Sequence, residues 1–212
     1  MENENSNYSR REFLGKAALA GAIGTIGVSS LISSCSRKKT AEELGLPPLL
    51  DHAPDGPKLK AGLVGAGHRG TGAAFNFISA GPNLEVIALV DVFQDKIDAC
   101  RDRFKKYKLE IPEENCFTGF DAYKKLLELD IDVVILATPP QFRPEHFKAA
   151  IQAKKHVFME KPVAVDPVGI RSILSTAKRA EASGLCVVTG TQRRHQKDYI
   201  ATYMQIANGA IG

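Results

Sequence analysis

Apolar positions along this chain fall into short continuous runs, and stretches with helical periodicity separate them. Runs at 58–64, 84–90, 132–137, 156–159 and 185–189 have the length and composition of strands buried on both faces. Residues 115–118 predict one further short strand. Between the runs, 71–80, 94–107, 120–129, 144–153 and 167–183 read as helices. In 94–107, for instance, Ile97, Cys100, Phe104 and Tyr107 return to one side every three or four positions. Gly81-Pro82-Asn83 and Gly184 end two of these helices, and Pro144 lies in the first turn of a third. Strands and helices alternating in this way predict an α/β fold built on a doubly wound parallel sheet. Ligands of such sheets bind beyond the carboxyl ends of the strands.

Before residue 58 the pattern is different. Ser9-Arg10-Arg11-Glu12-Phe13-Leu14-Gly15-Lys16 precedes an Ala/Gly-rich run at 17–32 that has no polar face to offer water. A twin arginine ahead of a mild apolar stretch is the pattern of a Tat export signal, and the run is too short and glycine-rich for a membrane span. Leu31-Ile32-Ser33-Ser34-Cys35 resembles a lipobox, with Ile32 where leucine is usual. Cys35 is therefore a candidate lipidation site, and an ordinary signal-peptidase cut is the alternative. The location expected is periplasmic, with the membrane reached only through that anchor. Residues 36–57, polar and carrying Pro47, Pro48, Pro54 and Pro57, read as a tether.

Composition changes this picture little. The 212 residues are 44% hydrophobic and 25% charged, which suits a soluble globular domain. The net charge of +4 is concentrated near Arg10 and Arg37, with no basic stripe interleaved with aromatics, so nucleic acid is not an expected partner. The four cysteines show no metal-ligand spacing. Cys186, inside an apolar run, is expected in the core. A Cys100–Cys116 disulfide is left open.

The chemistry lies at the strand ends. The first run leads directly into Gly65-Ala66-Gly67-His68-Arg69-Gly70, a helix follows, and the second run ends at Asp91, about 20 positions on. Each residue type has a physical role: Gly65 permits the tight turn, Gly67 lets the backbone approach a pyrophosphate, and Gly70 lets helix and strand pack closely. The helix N-terminus presents unpaired N–H groups to the phosphates. Asp91 would accept hydrogen bonds from the adenosine ribose, and its charge would repel a 2′-phosphate, so NAD is expected rather than NADP. This is the fingerprint of a Rossmann dinucleotide-binding domain. Arg69 reads equally as a phosphate contact or a solvated loop residue.

With these residues in place, the chain from about 58 to 212 resembles the Gfo/Idh/MocA oxidoreductases, which include glucose–fructose oxidoreductase and inositol dehydrogenase. The resemblance is carried by Gly62 to Gly70, by Ala137-Thr138-Pro139-Pro140, by Lys155 to Ala164 with its Glu160-Lys161-Pro162, and by Val188-Thr189-Gly190. It implies that Lys161 is catalytic, beside the nicotinamide and the sugar carbon that reacts. It implies that Glu160 orients Lys161 or meets the nicotinamide ribose, that Thr138 and Pro139 line the nicotinamide side, and that Arg193 and His195 contact substrate. Many members have histidines after Thr-Pro-Pro. Here Gln141-Phe142-Arg143 follow, so a substrate-side contact is expected to differ. Lys154 stands where glycine is frequent at a helix end, with no consequence expected.

The organisation expected is an export segment at 1–35, a linker at 36–57, an NAD-binding Rossmann domain at 58–190, and at 191–212 only the start of a second α/β domain. The function implied is hydride transfer at a CH–OH carbon of a sugar or polyol, with NAD tightly held and no metal. Little turnover is expected of 1–212 alone, because the second domain supplies most sugar contacts. Two alternatives stay open: a redox-neutral NAD-dependent glycosidase, against which Glu160-Lys161-Pro162 weighs, and a non-catalytic nucleotide-binding fragment. Relatives often associate through the second domain, so that route to an oligomer is not expected here.

Overall fold

The computed structural model describes residues 38–46 and 56–211. The chain divides into two compact units, one of 48–197 and one made of 1–47 with 198–212. The twin-arginine segment and Cys35 lie outside the described residues.

The larger unit holds six strands: β1 (Leu59–Val64), β2 (Leu84–Asp91), β3 (Cys116–Thr118), β4 (Val133–Leu136), β5 (His156–Met159) and β6 (Val187–Thr189). Between them run α1 (His68–Ser79), α2 (Gln94–Lys106), α3 (Ala122–Glu128), α4 (Arg143–Gln152) and α5 (Pro167–Ala182). All neighbouring strands pair in parallel, in the order β3-β2-β1-β4-β5-β6. This is the doubly wound α/β sheet expected, with β1 and β4 adjacent where the winding reverses.

Alternation along the strands feeds two cores. Ala61, Leu63, Leu89 and Ile135 pack with Ala73, Ala74, Ile97 and Phe104 of α1 and α2. Val64, Val90, Leu136 and Met159 pack with Leu126, Phe147, Ile151 and Ile173 of α3, α4 and α5. Both faces are covered, which is why the strands read as unbroken apolar runs. Gly62 matters to the second core, because a Cβ there would stand 2.7 Å from Leu126 Cδ2.

Hydrogen bonds continue past the strands and level the loops at the carboxyl edge. Gly65 N–H donates to Val90 O (2.8 Å), Ala137 N–H to Val64 O (2.9 Å), Glu160 N–H to Leu136 O (2.9 Å) and Gly190 N–H to Met159 O (2.8 Å). Each post-strand loop therefore begins at the same height as its neighbour.

Two expectations are corrected. Cys186 is exposed rather than in the core, because β6 pairs only with β5 and starts after it. Its backbone N–H donates to His156 Nδ1 at 2.9 Å. Cys100 is buried, Cys116 half-buried, and both thiols are free. Lys154 is not neutral to the fold: its φ is +57°, and Lys154 N–H to Ile151 O with Lys155 N–H to Ala150 O (both 3.0 Å) closes α4 in the manner that favours glycine.

In the smaller unit, Thr40 N–H donates to Glu43 Oε2 (2.9 Å) and Glu43 N–H returns to Thr40 Oγ1 (3.2 Å). This reciprocal cap organises a turn inside the expected tether. Lys39 N–H donates to Asn208 Oδ1 at 2.5 Å, beyond the end of α6 (Lys197–Ala207). Among the described residues no helix is long and apolar enough to cross a membrane.

A left-handed conformation costs a lysine roughly 1–2 kcal/mol, partly offset in Lys154→Gly by the greater entropy of unfolded glycine. The variant should gain up to about 1 kcal/mol in urea denaturation; an unchanged or lower midpoint would contradict the assignment.

Candidate functional site

The turn from β1 into α1 is shaped by missing side chains. Gly65 has φ +99°, and a Cβ on it would stand 2.8 Å from the Ala137 carbonyl carbon and the Thr138 nitrogen. A Cβ on Gly70 would stand 1.8 Å from Gly65 O. Only glycine allows α1 to seat this close to β4. Gly67 differs, since a Cβ there meets nothing within 4 Å. Its freedom leaves open space at the helix start. Gly67 is the N-cap of α1 and gives no side-chain cap, and no acidic residue occupies the first turn. The first N–H groups of the helix are thus left for an anion.

Asp91 ends β2 at the edge of this space. Its Oδ2 accepts from Ala66 N–H (2.8 Å) and its Oδ1 from Phe93 N–H (3.1 Å). These bonds hold the carboxylate still, and each oxygen keeps capacity for a ligand hydroxyl.

A cavity of about 450 Å³ lies beyond the carboxyl ends of β1, β2 and β4. Gly65, Gly67, Asp91, Thr138 and Pro139 all line it, so five of the expected cofactor residues converge. Gly70 lies buried beneath them. Residues not anticipated complete the wall: Phe93, Lys96, Phe120, Tyr123, Phe142 and His146. Tyr123 and His146 rings lie 4.4 Å apart, and Phe142 stacks on His146 at 6.1 Å. His146 Nδ1 is 3.2 Å from Thr138 Oγ1. Burial pushes the His146 pKa below its ordinary value, and the charge of Glu145 opposes this only in part. The imidazole is therefore neutral near pH 7 and serves as an apolar, hydrogen-bonding wall. Its place four residues into α4 gave no chain-local signal.

The turn after β5 lies apart from this cavity. Glu160 is buried, with its carboxylate hydrogen-bonded to Arg69 of α1 and close enough to Gly190 that a Cβ there would stand 2.8 Å from Oε2. Arg69 thus turns to Glu160, neither a solvated loop residue nor free for phosphate. Lys161 is exposed on the turn, and its peptide bond to Pro162 is cis. Arg143, expected to alter a substrate contact, points inward instead. It is 5% exposed, and its Nε donates to Thr138 O at 2.8 Å. Arg193 and His195 are exposed at the short 3₁₀ turn Gln192–Arg194 and just after it, and neither lines the cavity. Among the described residues no group of three or more His, Cys, Asp or Glu side chains could hold a metal.

Parallel strands in this order, a glycine turn against an uncapped helix, and an acid at the end of β2 define a dinucleotide-binding domain. The open space at Gly67 and the fixed carboxylate of Asp91 fit a pyrophosphate and an adenosine ribose. The family described as "Oxidoreductase family, NAD-binding Rossmann fold" (GFO_IDH_MocA) matches residues 59–190. The chain belongs to this Gfo/Idh/MocA family, and the domain is its NAD-binding one. A glycosyl hydrolase family 109 protein of Streptomyces coelicolor is 30% identical over 178 residues, covering 81% of this chain and 36% of that protein. An inositol 2-dehydrogenase of Salmonella paratyphi B is 29% identical over 154 residues, covering 73% and 43%. The crystal structure of scyllo-inositol dehydrogenase from Lactobacillus casei with bound NAD(H) and scyllo-inositol superposes with a TM-score of 0.60 at 26% identity, covering 73% and 42%. The chain spans less than half the length of these relatives.

Two outcomes follow from the geometry. Gly67→Ala should melt with the wild type yet bind NAD at least about tenfold more weakly, a 1.4 kcal/mol loss in the cradle; unchanged binding by calorimetry would remove the cradle. Because the folded pKa of His146 lies below its unfolded value near 6.5, the stability it contributes is complete above that pH and declines as pH falls below it. Urea titrations between pH 5 and 8 should show this slope in the wild type and a shallower one in His146→Asn. Equal slopes would contradict the burial argument.

Proposed function

We propose that the protein is an NAD-dependent oxidoreductase acting at a CH–OH carbon of a polyol or sugar, with NAD preferred to NADP. The observation that carries this is the convergence of the glycine turn, Asp91 and Thr138–Pro139 on one cavity, with Glu160-Lys161-Pro162 at the next strand end. Similarity to inositol dehydrogenases supports the substrate class. When bound, NAD supplies a nicotinamide carbon that accepts or returns hydride. The residues of this chain do the rest. The backbone at Gly65–Gly70 and the start of α1 hold the pyrophosphate. Asp91 accepts from the ribose hydroxyls and repels a 2′-phosphate. Thr138 and Pro139 line the nicotinamide side. Lys161 hydrogen-bonds the reacting hydroxyl and shares in its proton transfer, worth about 10²–10⁴ in rate. Glu160, held by Arg69, anchors the turn on which Lys161 stands. Arg193 and His195 are assigned to the substrate side.

The division at 58–190 and 191–212, export through the twin-arginine segment and lipidation of Cys35 belong to the same proposal. A folded protein carried by that route would keep its NAD, since the periplasm holds no pool to exchange with.

A second reading is favoured by one observation. The family 109 protein matches 81% of the chain, more than residues 58–212 can supply, so its similarity reaches into the leader. Redox-neutral glycoside cleavage on the same bound NAD is that reading. Release of a chromogenic aglycone without net NADH would select it.

Lys161→Ala should lower turnover of a polyol by about a hundredfold or more while NAD affinity stays within about threefold. Asp91→Ala should weaken NAD binding about five- to thirtyfold, the worth of one or two hydrogen bonds, and narrow the gap to NADP. A protein that binds neither nucleotide saturably would sink both readings.

A further inference from the structure

Arg143 does something the expected chemistry does not require. It begins α4, where a cation opposes the helix dipole, and it is buried, where a cation loses its hydration. Burial pulls its pKa down, and the charge of Glu160 pulls the other way. Its hydrogen bonds go to carbonyl oxygens. Nε donates to Thr138 O (2.8 Å), while Nη1 donates to Glu160 O (2.5 Å) and also to Pro162 O. These carbonyls lie past the ends of β4 and β5, where the ladder no longer offers partners. Two of them flank Lys161 in the chain, and the third belongs to a residue that lines the cavity. One rigid guanidinium thus spans two loops that no strand joins. An ammonium could not do so, since its donors radiate from a single nitrogen.

We propose that Arg143 is a positioning residue that locks the turn carrying Lys161 to the loop carrying Thr138, so that the lysine and the cavity wall keep a fixed separation. The assignment rests on the catalytic reading of Lys161, though the mechanical link can be tested without it.

The test compares wild type, Arg143→Lys and Arg143→Met by hydrogen exchange with mass spectrometry, NAD titration and polyol turnover. Peptides over 138–142 and 159–163 should exchange about tenfold faster in both variants, while β1, β2 and α1 keep their protection. NAD affinity should stay within about threefold. Turnover should fall about a hundredfold with the polyol KM little changed, since a misplacement of about 1 Å costs that much. The proposal is overturned if the two loops keep their wild-type exchange. It is also overturned if protection falls evenly across the sheet in the lysine variant as well, or if KM rises while kcat is unchanged. Should the wild type itself bind no NAD, the functional reading fails alone, and the exchange comparison still decides whether Arg143 couples the loops.

Discussion

The backbone of the β1–α1 turn approaches the end of β4 so closely that no side chain fits between them. At Gly70 the space of a Cβ is already taken by the carbonyl oxygen of Gly65, and at Gly65 it is taken by the Ala137–Thr138 peptide. This contact sets α1 against the sheet and brings its uncapped start to the cavity. It also fixes Thr138 relative to the glycine turn. With the strand-end hydrogen bonds that level the neighbouring loops, it makes a crevice out of segments far apart in the chain. The chemistry proposed for this protein presupposes that crevice.

A second tier of organisation lies around the ends of β4 and β5, and it is made of side chains. Arg143 reaches backbone oxygens from the start of α4, and Arg69 reaches the Glu160 carboxylate from the start of α1. The first arginine is buried and the second about half exposed. Exposed pairs contribute little to stability, whereas a buried cation broken from its partners is costly. The stiffness of the Glu160–Pro162 turn therefore depends more on Arg143. Tyr123, Phe142 and the neutral His146 back the opposite wall, giving the cavity a firm apolar side next to the polar glycine turn.

Two chemistries stand among the relatives, glycoside hydrolysis and inositol oxidation, and both share this nucleotide-binding domain. A common fold holding a common cofactor does not choose between them. What chooses is the group beside the reacting carbon. In this chain that position carries Glu160-Lys161-Pro162, with the lysine exposed and its flanking backbone restrained. A positioned amine suits proton transfer to and from an alcohol, which is why the oxidoreductase reading leads.

Much of the nucleotide site was legible before any coordinates, because its logic is local. A glycine turn, the helix it opens and the acid at the next strand end are spaced by the lengths of the elements themselves, so Gly65, Gly67, Gly70 and Asp91 could be named from the chain. The strand order followed from alternation in the same way. Local pattern failed where a residue's meaning comes from distant partners. Cys186 looked like core because its neighbours are apolar, yet only the assembled sheet shows that β6 is an edge. Arg143 looked like a substrate contact because it follows Thr-Pro-Pro, yet its partners lie 5, 17 and 19 positions away on other loops. His146 gave no signal at all, since its depressed basicity comes from packing under Tyr123 and Phe142. Lys154 could be placed at a helix end, but its backbone conformation depends on how α4 meets β5. Periodicity and turn chemistry act between near neighbours and are written in the chain; burial, edge position and the pairing of charges with remote carbonyls exist only once the sheet has closed.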